Sequence, residues 1–181
     1  MALAKTVTHR YTGESVTFLQ TSEETNGKLL LIEVSLPPQG DGPPLHVHDE
    51  FEEVFEVKSG TLTVFVGTEK HTLTAGDTIK APKYTPHTFT NEHDEPVTFH
   101  VRLTPASQFE QSMRIHYGLM DDGLTDDKGT PKNILHLIYI LKLQNTLIAG
   151  KSLGVQRFLF NVLLGIGKLT GSFKALTKYT K

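Results

Sequence analysis

The chain has 181 residues, 38% of them hydrophobic, which suits one ordinary domain with a folded core and argues against disorder. Cysteine is absent, which excludes disulfides, thiolate zinc sites and Cys-held iron–sulfur clusters. Charge is divided unevenly. All 20 acidic residues and 10 of the 18 basic ones lie in residues 1–131, whereas 132–181 holds 8 Lys or Arg and no Asp or Glu, so the two parts are expected to have different tasks.

The opening stretch, MALAKTVTHRYTG, lacks the apolar run of a secretory signal, so a cytoplasmic location is the expectation. From there to about residue 105 the chain reads as short strands and turns. SVTFLQ, KLLLIEVSL, EVFEVKSG, TLTVFVG, KHTLTAGD and PVTFHVRL are rich in β-branched and aromatic residues, and ETNGK, PPQGDGPP, KSG, AGD and NEHDEP punctuate them. Many short strands at regular spacing predict a mainly β sandwich or barrel. Residues 106–131 read as a linker, with a short helix over Phe109 to Tyr117 and an exposed acidic loop, DDGLTDDKGTP. Pro131 stands near a helix start.

Residues 132–181 predict a basic, apolar helical extension. Leu159, Val162, Leu163, Ile166, Leu169, Phe173 and Leu176 recur at three-to-four spacing, with Arg157 and Lys168 on the opposite side. Gly150, Gly154, Gly165, Gly167 and Gly171 each weaken a helix by about 1 kcal/mol relative to Ala, so two or three interrupted helices are expected. The longest uncharged run here is Phe158 to Gly167, too short to span a bilayer. A basic, apolar segment suits an anionic membrane surface. The favoured alternative is that it packs on the acidic barrel or closes a homodimer. The basic residues are dispersed and accompany no binding motif, which argues against nucleic acid.

The chemistry is concentrated in PPLHVHDEFEEVFEVKSG, Pro43 to Gly60. On a strand, His46 and His48 would project from one face, since side chains alternate. Glu53 follows at the head of the next strand. Imidazole with carboxylate suits Mn, Fe, Co, Ni, Cu or Zn better than Ca or Mg. At this point two exposed loop histidines are an equal reading.

A second segment, GDTIKAPKYTPHTFTN, changes the balance. Gly40, His46, His48, Glu53 and Gly60 match the first cupin motif at every interval. Gly76, Pro82, His87 and Asn91 match the second, with Tyr84 standing where that motif has glycine. With these nine positions in register the chain closely resembles the cupin superfamily, over about residues 30–105. The resemblance implies a cupin, jelly-roll-like double-stranded β-barrel over residues 1–105, holding a divalent transition metal through His46, His48, Glu53 and His87. It also implies a small-molecule ligand or substrate and pairing into homodimers. In this family such sites serve dioxygenases, isomerases, decarboxylases and epimerases, and also binding modules without turnover.

Other residues are weighed beside these. A Tyr at position 84 would be strained if the turn needs positive φ, so the turn differs, or Tyr84 lines the pocket mouth, or, as an at least equal reading, it packs on the barrel rim. Glu52 competes with Glu53, but only Glu53 keeps six residues before Gly60. Glu50, Glu52 and Glu56 read as solvated groups or as partners behind the ligands, and Asn91 as a turn residue rather than a ligand. His100 either assists the site or is an ordinary surface or core histidine, the latter being favoured. Phe55, Phe89 and Phe99 are pocket-lining candidates that more often belong to plain core.

Overall fold

The computed structural model describes residues 3–181. Ten strands occupy the first part: β1 (Thr6–Thr8), β2 (Ser15–Gln20), β3 (Leu30–Leu36), β4 (His46–His48), β5 (Glu52–Ser59), β6 (Thr61–Val66), β7 (Glu69–Thr74), β8 (Thr78–Ala81), β9 (His87–Thr90) and β10 (Val97–Thr104). Then come α1 (Phe109–Asp121), α2 (Ile134–Leu143), a further strand β11 (Thr146–Ile148), α3 (Leu153–Leu169) and a 3-10 turn at Lys174–Thr180.

The strands form two antiparallel sheets, one ordered β1-β2-β3-β10-β5-β8 and the other β11-β4-β9-β6-β7. This is the mainly β jelly roll expected of the sequence. Alternation decides which side chains face the sandwich interior. On β10, Val97, Phe99, Val101 and Leu103 are buried while Thr98, His100, Arg102 and Thr104 lie outward. On β3, Leu30, Ile32, Val34 and Leu36 fill the same space. Phe55, Phe99, Leu62 and Val64 close the centre between the two sheets.

Helix α1 joins this core to a second one. Met113, Tyr117 and Met120 recur at helical spacing and pack with the sandwich. Ile115 and Leu119, on another face, pack with Ile140, Leu143 and Leu176. The helix runs to Asp121, four residues beyond the expected Tyr117, because its second face has this partner. The loop after it turns on Asp126, whose carboxylate accepts from the backbone N–H groups of Lys128 and Thr130. Helix α2 begins at an Asn133 cap, whose side chain accepts from the backbone N–H of Leu135.

The extension differs from expectation in two ways. It is not helical throughout, because β11 pairs antiparallel with β4, setting Thr146 opposite His48 and Ile148 opposite His46. And three of the five glycines lie inside α3 without breaking it. Gly167 sits where the Phe173 ring packs onto the helix, and a Cβ there would stand 2.1 Å from that ring. Positive φ appears instead at Gly150, in the turn between β11 and α3, and at Gly171, just past the end of α3, with values of 74° and 69° that glycine adopts without strain.

Candidate metal centre

Four side chains from three strands meet between the sheets. His46 and His48 both come from β4, two residues apart and hence on one face. His87 opens β9 and pairs directly with His46 across the ladder. Glu53 reaches in from β5 in the opposite sheet, where it lies opposite Leu103 and Ala81. The exposures of His46, His48, Glu53 and His87 are 6%, 2%, 5% and 1%, so the reading as exposed loop histidines does not hold.

The backbone dictates how the rings are turned. His46 Nδ1 donates to the Pro44 carbonyl at 2.9 Å and His87 Nδ1 to the Thr85 carbonyl at 2.9 Å. His48 Nδ1 donates to the Asn145 carbonyl at 3.1 Å. A carbonyl can only accept, so each Nδ1 carries a hydrogen, and a neutral ring then presents a bare Nε2 lone pair. The three Nε2 atoms point at one another. His46 Nε2 and His48 Nε2 lie 3.0 Å apart, and no hydrogen is available to bridge two bare nitrogens. His87 Nε2 lies 3.1 Å from Glu53 Oε2, and His48 Nε2 lies 3.9 Å from Glu53 Oε1.

Burial and mutual charge set the protonation states. Burial, aided by the neighbouring His48 and His87, lowers His46 to about 3. Burial also lowers His48, against the pull of Glu53. For Glu53, burial works to raise the pKa, but the hydrogen bond from His87 and the nearby imidazoles outweigh it and bring the group down to about 2. His87 is raised: burial opposes its charge, and the Glu53 hydrogen bond and charge overcome that. Without a metal, His87 and Glu53 therefore form an ion pair beside two neutral imidazoles.

The donor set fits a cation. One donor atom from each residue lies within 4.8 Å of the other three. With ligand bonds of about 2.1 Å, adjacent donors on an octahedron stand about 3.0 Å apart, which is the spacing of the His46 and His48 nitrogens. Three nitrogens and a carboxylate suit a divalent transition metal and do not discriminate among Fe, Mn, Ni, Co, Cu and Zn.

Aromatic rings wall the cluster. Phe51 stacks on His48 at 4.3 Å between ring centres, Phe109 meets His48 edge-on at 6.3 Å, and Phe55 lies 6.4 Å from His87. Of the anticipated lining residues, Phe55 and Phe99 are wholly buried in the core, and Phe89 packs against them. Tyr84 is 62% exposed and does take a positive φ, 62°. The turn needed glycine geometry and the chain accepts the strain, holding it with a Tyr84 N–H bond to the His48 carbonyl at 2.7 Å. His100 faces away from the centre and bonds Glu33 at 3.2 Å. Glu52 pairs with Lys80 and Glu56 with Lys58. Asn91 binds backbone, donating to the Pro37 and Glu95 carbonyls, and is a turn residue.

One important participant escaped the sequence reading. Asn145 lies in the extension, just past the end of α2, with a φ of 53°. Its carbonyl holds His48. Its side-chain Oδ1 accepts from the backbone N–H groups of Asp49 and Glu50 at 2.6 and 2.9 Å, and its Nδ2 donates to the Asp49 carboxylate at 2.5 Å. Arg157 of α3 pairs with that same carboxylate. The available signal was an Asn at a helix end, a residue that tolerates left-handed geometry, but nothing in its spacing tied it to His48.

A two-sheet antiparallel jelly roll with three inward histidines and a glutamate defines a class of small β-barrel protein with a metal-competent interior. Residues 32–102, which include all four donors, match the sequence model of the Cupin domain family. Among solved structures, a cupin-superfamily sugar phosphate isomerase from Silicibacter pomeroyi is 27% identical, with a TM-score of 0.46 over 52% of this chain and 60% of its own. This chain thus spans less than two thirds of that protein. A Thermotoga maritima protein described as a predicted oxalate decarboxylase is 19% identical, with a TM-score of 0.48 over 51% of this chain and 80% of its own. An RmlC-like cupin from Shewanella frigidimarina is 21% identical, with a TM-score of 0.48 over 55% and 83%. No curated protein matches the chain.

Proposed function

We propose that this chain is a metal-dependent cupin, with His46, His48, Glu53 and His87 holding one divalent transition metal, and that it acts on a small organic molecule, with oxygenase or isomerase chemistry the first to test. The observation that carries the metal assignment is the pair of bare nitrogens, His46 Nε2 and His48 Nε2, 3.0 Å apart with their other nitrogens already committed to carbonyls. Two lone pairs in van der Waals contact repel unless a cation lies between them. When bound, such an ion supplies Lewis-acid polarisation and a template for orienting reactants.

The protein's own groups have clear parts. The carbonyls of Pro44, Thr85 and Asn145 hold the rings in the ligating tautomer, as partners behind metal ligands do. Phe51, Phe55 and Phe109 keep the surroundings apolar and exclude water. Glu53, ionised and bonded to His87, would accept a proton only once released from the metal and from that bond.

A second reading, a binding module without turnover, draws on one observation. All four donors are at most 6% exposed, and a surface groove of about 520 Å³ lined by Asp41, Pro43, Thr88 and Phe89 includes none of them. Elemental analysis of the purified protein beside His46→Ala and His87→Ala tests the site: both variants lose the ion if the assignment holds, and a retained ion ends it. Oxygen uptake and product formation on a substrate panel then separate the readings. An intact metal with no turnover selects the binding module.

A further inference from the structure

Helix α3 presents its large side chains to solvent. Val155 is 57% exposed, Phe158 67%, Leu159 50%, Val162 45%, Ile166 44% and Leu169 90%. At about 100° per residue these six fall within roughly a 100° arc, one continuous apolar ridge along a helix about 25 Å long. This is the face that sequence periodicity marked as a packing face, and among the described residues neither hydrophobic core takes it up.

The helix cannot turn over to bury it. Its other side is seated on α2 and β11. Gln156 fixes the rotation with two bonds to one residue: its Oε1 accepts from the Ile148 N–H at 2.9 Å and its Nε2 donates to the Ile148 carbonyl at 2.9 Å. Arg157, on the side away from the ridge, is tied to Asp49. Gly167 is closed beneath Phe173.

Charge says what covers the ridge. Lys151 precedes the helix, Lys168 ends it, and Lys174 and Lys181 follow. All four are exposed, and among the described residues none has a carboxylate within ion-pair distance, whereas Lys178 and Arg157 do. No acidic residue occurs from 132 to 181. A second copy packed ridge to ridge would bring two basic segments together with no carboxylate in either to offset their charge.

We propose that α3 docks in the plane of an anionic lipid surface, with the ridge from Val155 to Leu169 entering the headgroup and acyl boundary and the flanking lysines meeting the lipid charge. No helix of the described chain is long and apolar enough to cross a membrane, so the helix lies along the surface. The proposal is independent of the metal centre.

The test is sedimentation of the full chain with vesicles of phosphatidylcholine alone and with phosphatidylserine added, at low and high salt. Truncation of the extension is unsuitable, because it removes β11 and Asn145. Instead, Phe158→Glu with Leu169→Glu breaks the ridge, and Lys151→Gln with Lys168→Gln weakens the charge. All four positions are exposed, so unchanged thermal melting checks the fold. The expected result is binding only to the phosphatidylserine vesicles, lost at high salt, abolished by the ridge variant and weakened about fivefold for each lysine removed. Absence of binding at low salt overturns the proposal, as does binding that neither variant changes. A dimer in analytical ultracentrifugation that the ridge variant converts to monomer, without vesicle binding, assigns the ridge to a second copy and also overturns it.

Discussion

Asn145 offers the sharpest test of how the extension supports the centre. Its side chain is 8% exposed and makes three bonds to the Asp49–Glu50 turn, and its carbonyl holds His48. Asn145→Gly keeps the left-handed backbone, which glycine adopts freely, and removes only the side-chain clamp. Each hydrogen bond is worth about 1 kcal/mol net, and more if a buried partner is left unpaired. Asp49 is half-buried and Glu50 exposed, so water recovers part of the loss, and about 1–2 kcal/mol is expected. Asn145→Ala adds roughly 1 kcal/mol of left-handed strain. Loosening a partner behind a ligand typically costs about 10–100-fold in metal affinity. Urea denaturation in a chelator gives the first quantity, and competition against a chromophoric chelator the second. If Asn145→Gly unfolds within about 0.5 kcal/mol of the parent, the range of an uninvolved surface position, and binds metal equally well, the clamp does not orient His48.

Metal affinity should rise with pH. His87 is raised by Glu53 and carries a proton below its folded pKa, and the metal must displace that proton. Affinity then gains about tenfold per pH unit up to that pKa and levels above it; a flat profile from acid to neutral pH would falsify the ion-pair description. The metal-free protein should lose stability as pH falls from about 6.5 toward 3, because the unfolded chain binds a proton that buried His46, lowered to about 3, refuses. The raised His87 adds stability only as pH falls toward about 6.5 and is constant below it, so chelator-treated His46→Ala should show a shallower acid decline than the parent. Tyr84→Gly removes a left-handed tyrosine at φ 62°; the relief of about 1–2 kcal/mol exceeds the added chain entropy of about 0.5–1 kcal/mol, so Tm should rise slightly. Phe55→Ala, at a wholly buried position between the sheets, should cost about 3–5 kcal/mol, read by the same denaturation; a loss under 1 kcal/mol would mean the sandwich does not close around that ring.

Much of this protein is written locally. Alternating apolar residues in LLIEVSL and VTFHVRL determine which faces turn inward, because the strand period is two whatever the partner strand. The spacing of His46 and His48 puts two imidazoles on one face for the same reason, and the motif intervals bring Glu53 and His87 into the account. What the local pattern could not supply is pairing between distant segments. The strand β11 is only three residues long and weak by itself; it exists because β4 offers it an open edge. Asn145 acquires its role from that pairing, which sets it against His48 across 97 residues of chain. The α3 ridge shows the same division. Periodicity made Leu159, Val162 and Ile166 one face of a helix, but only the seating of Gln156 on Ile148 determined that this face looks outward.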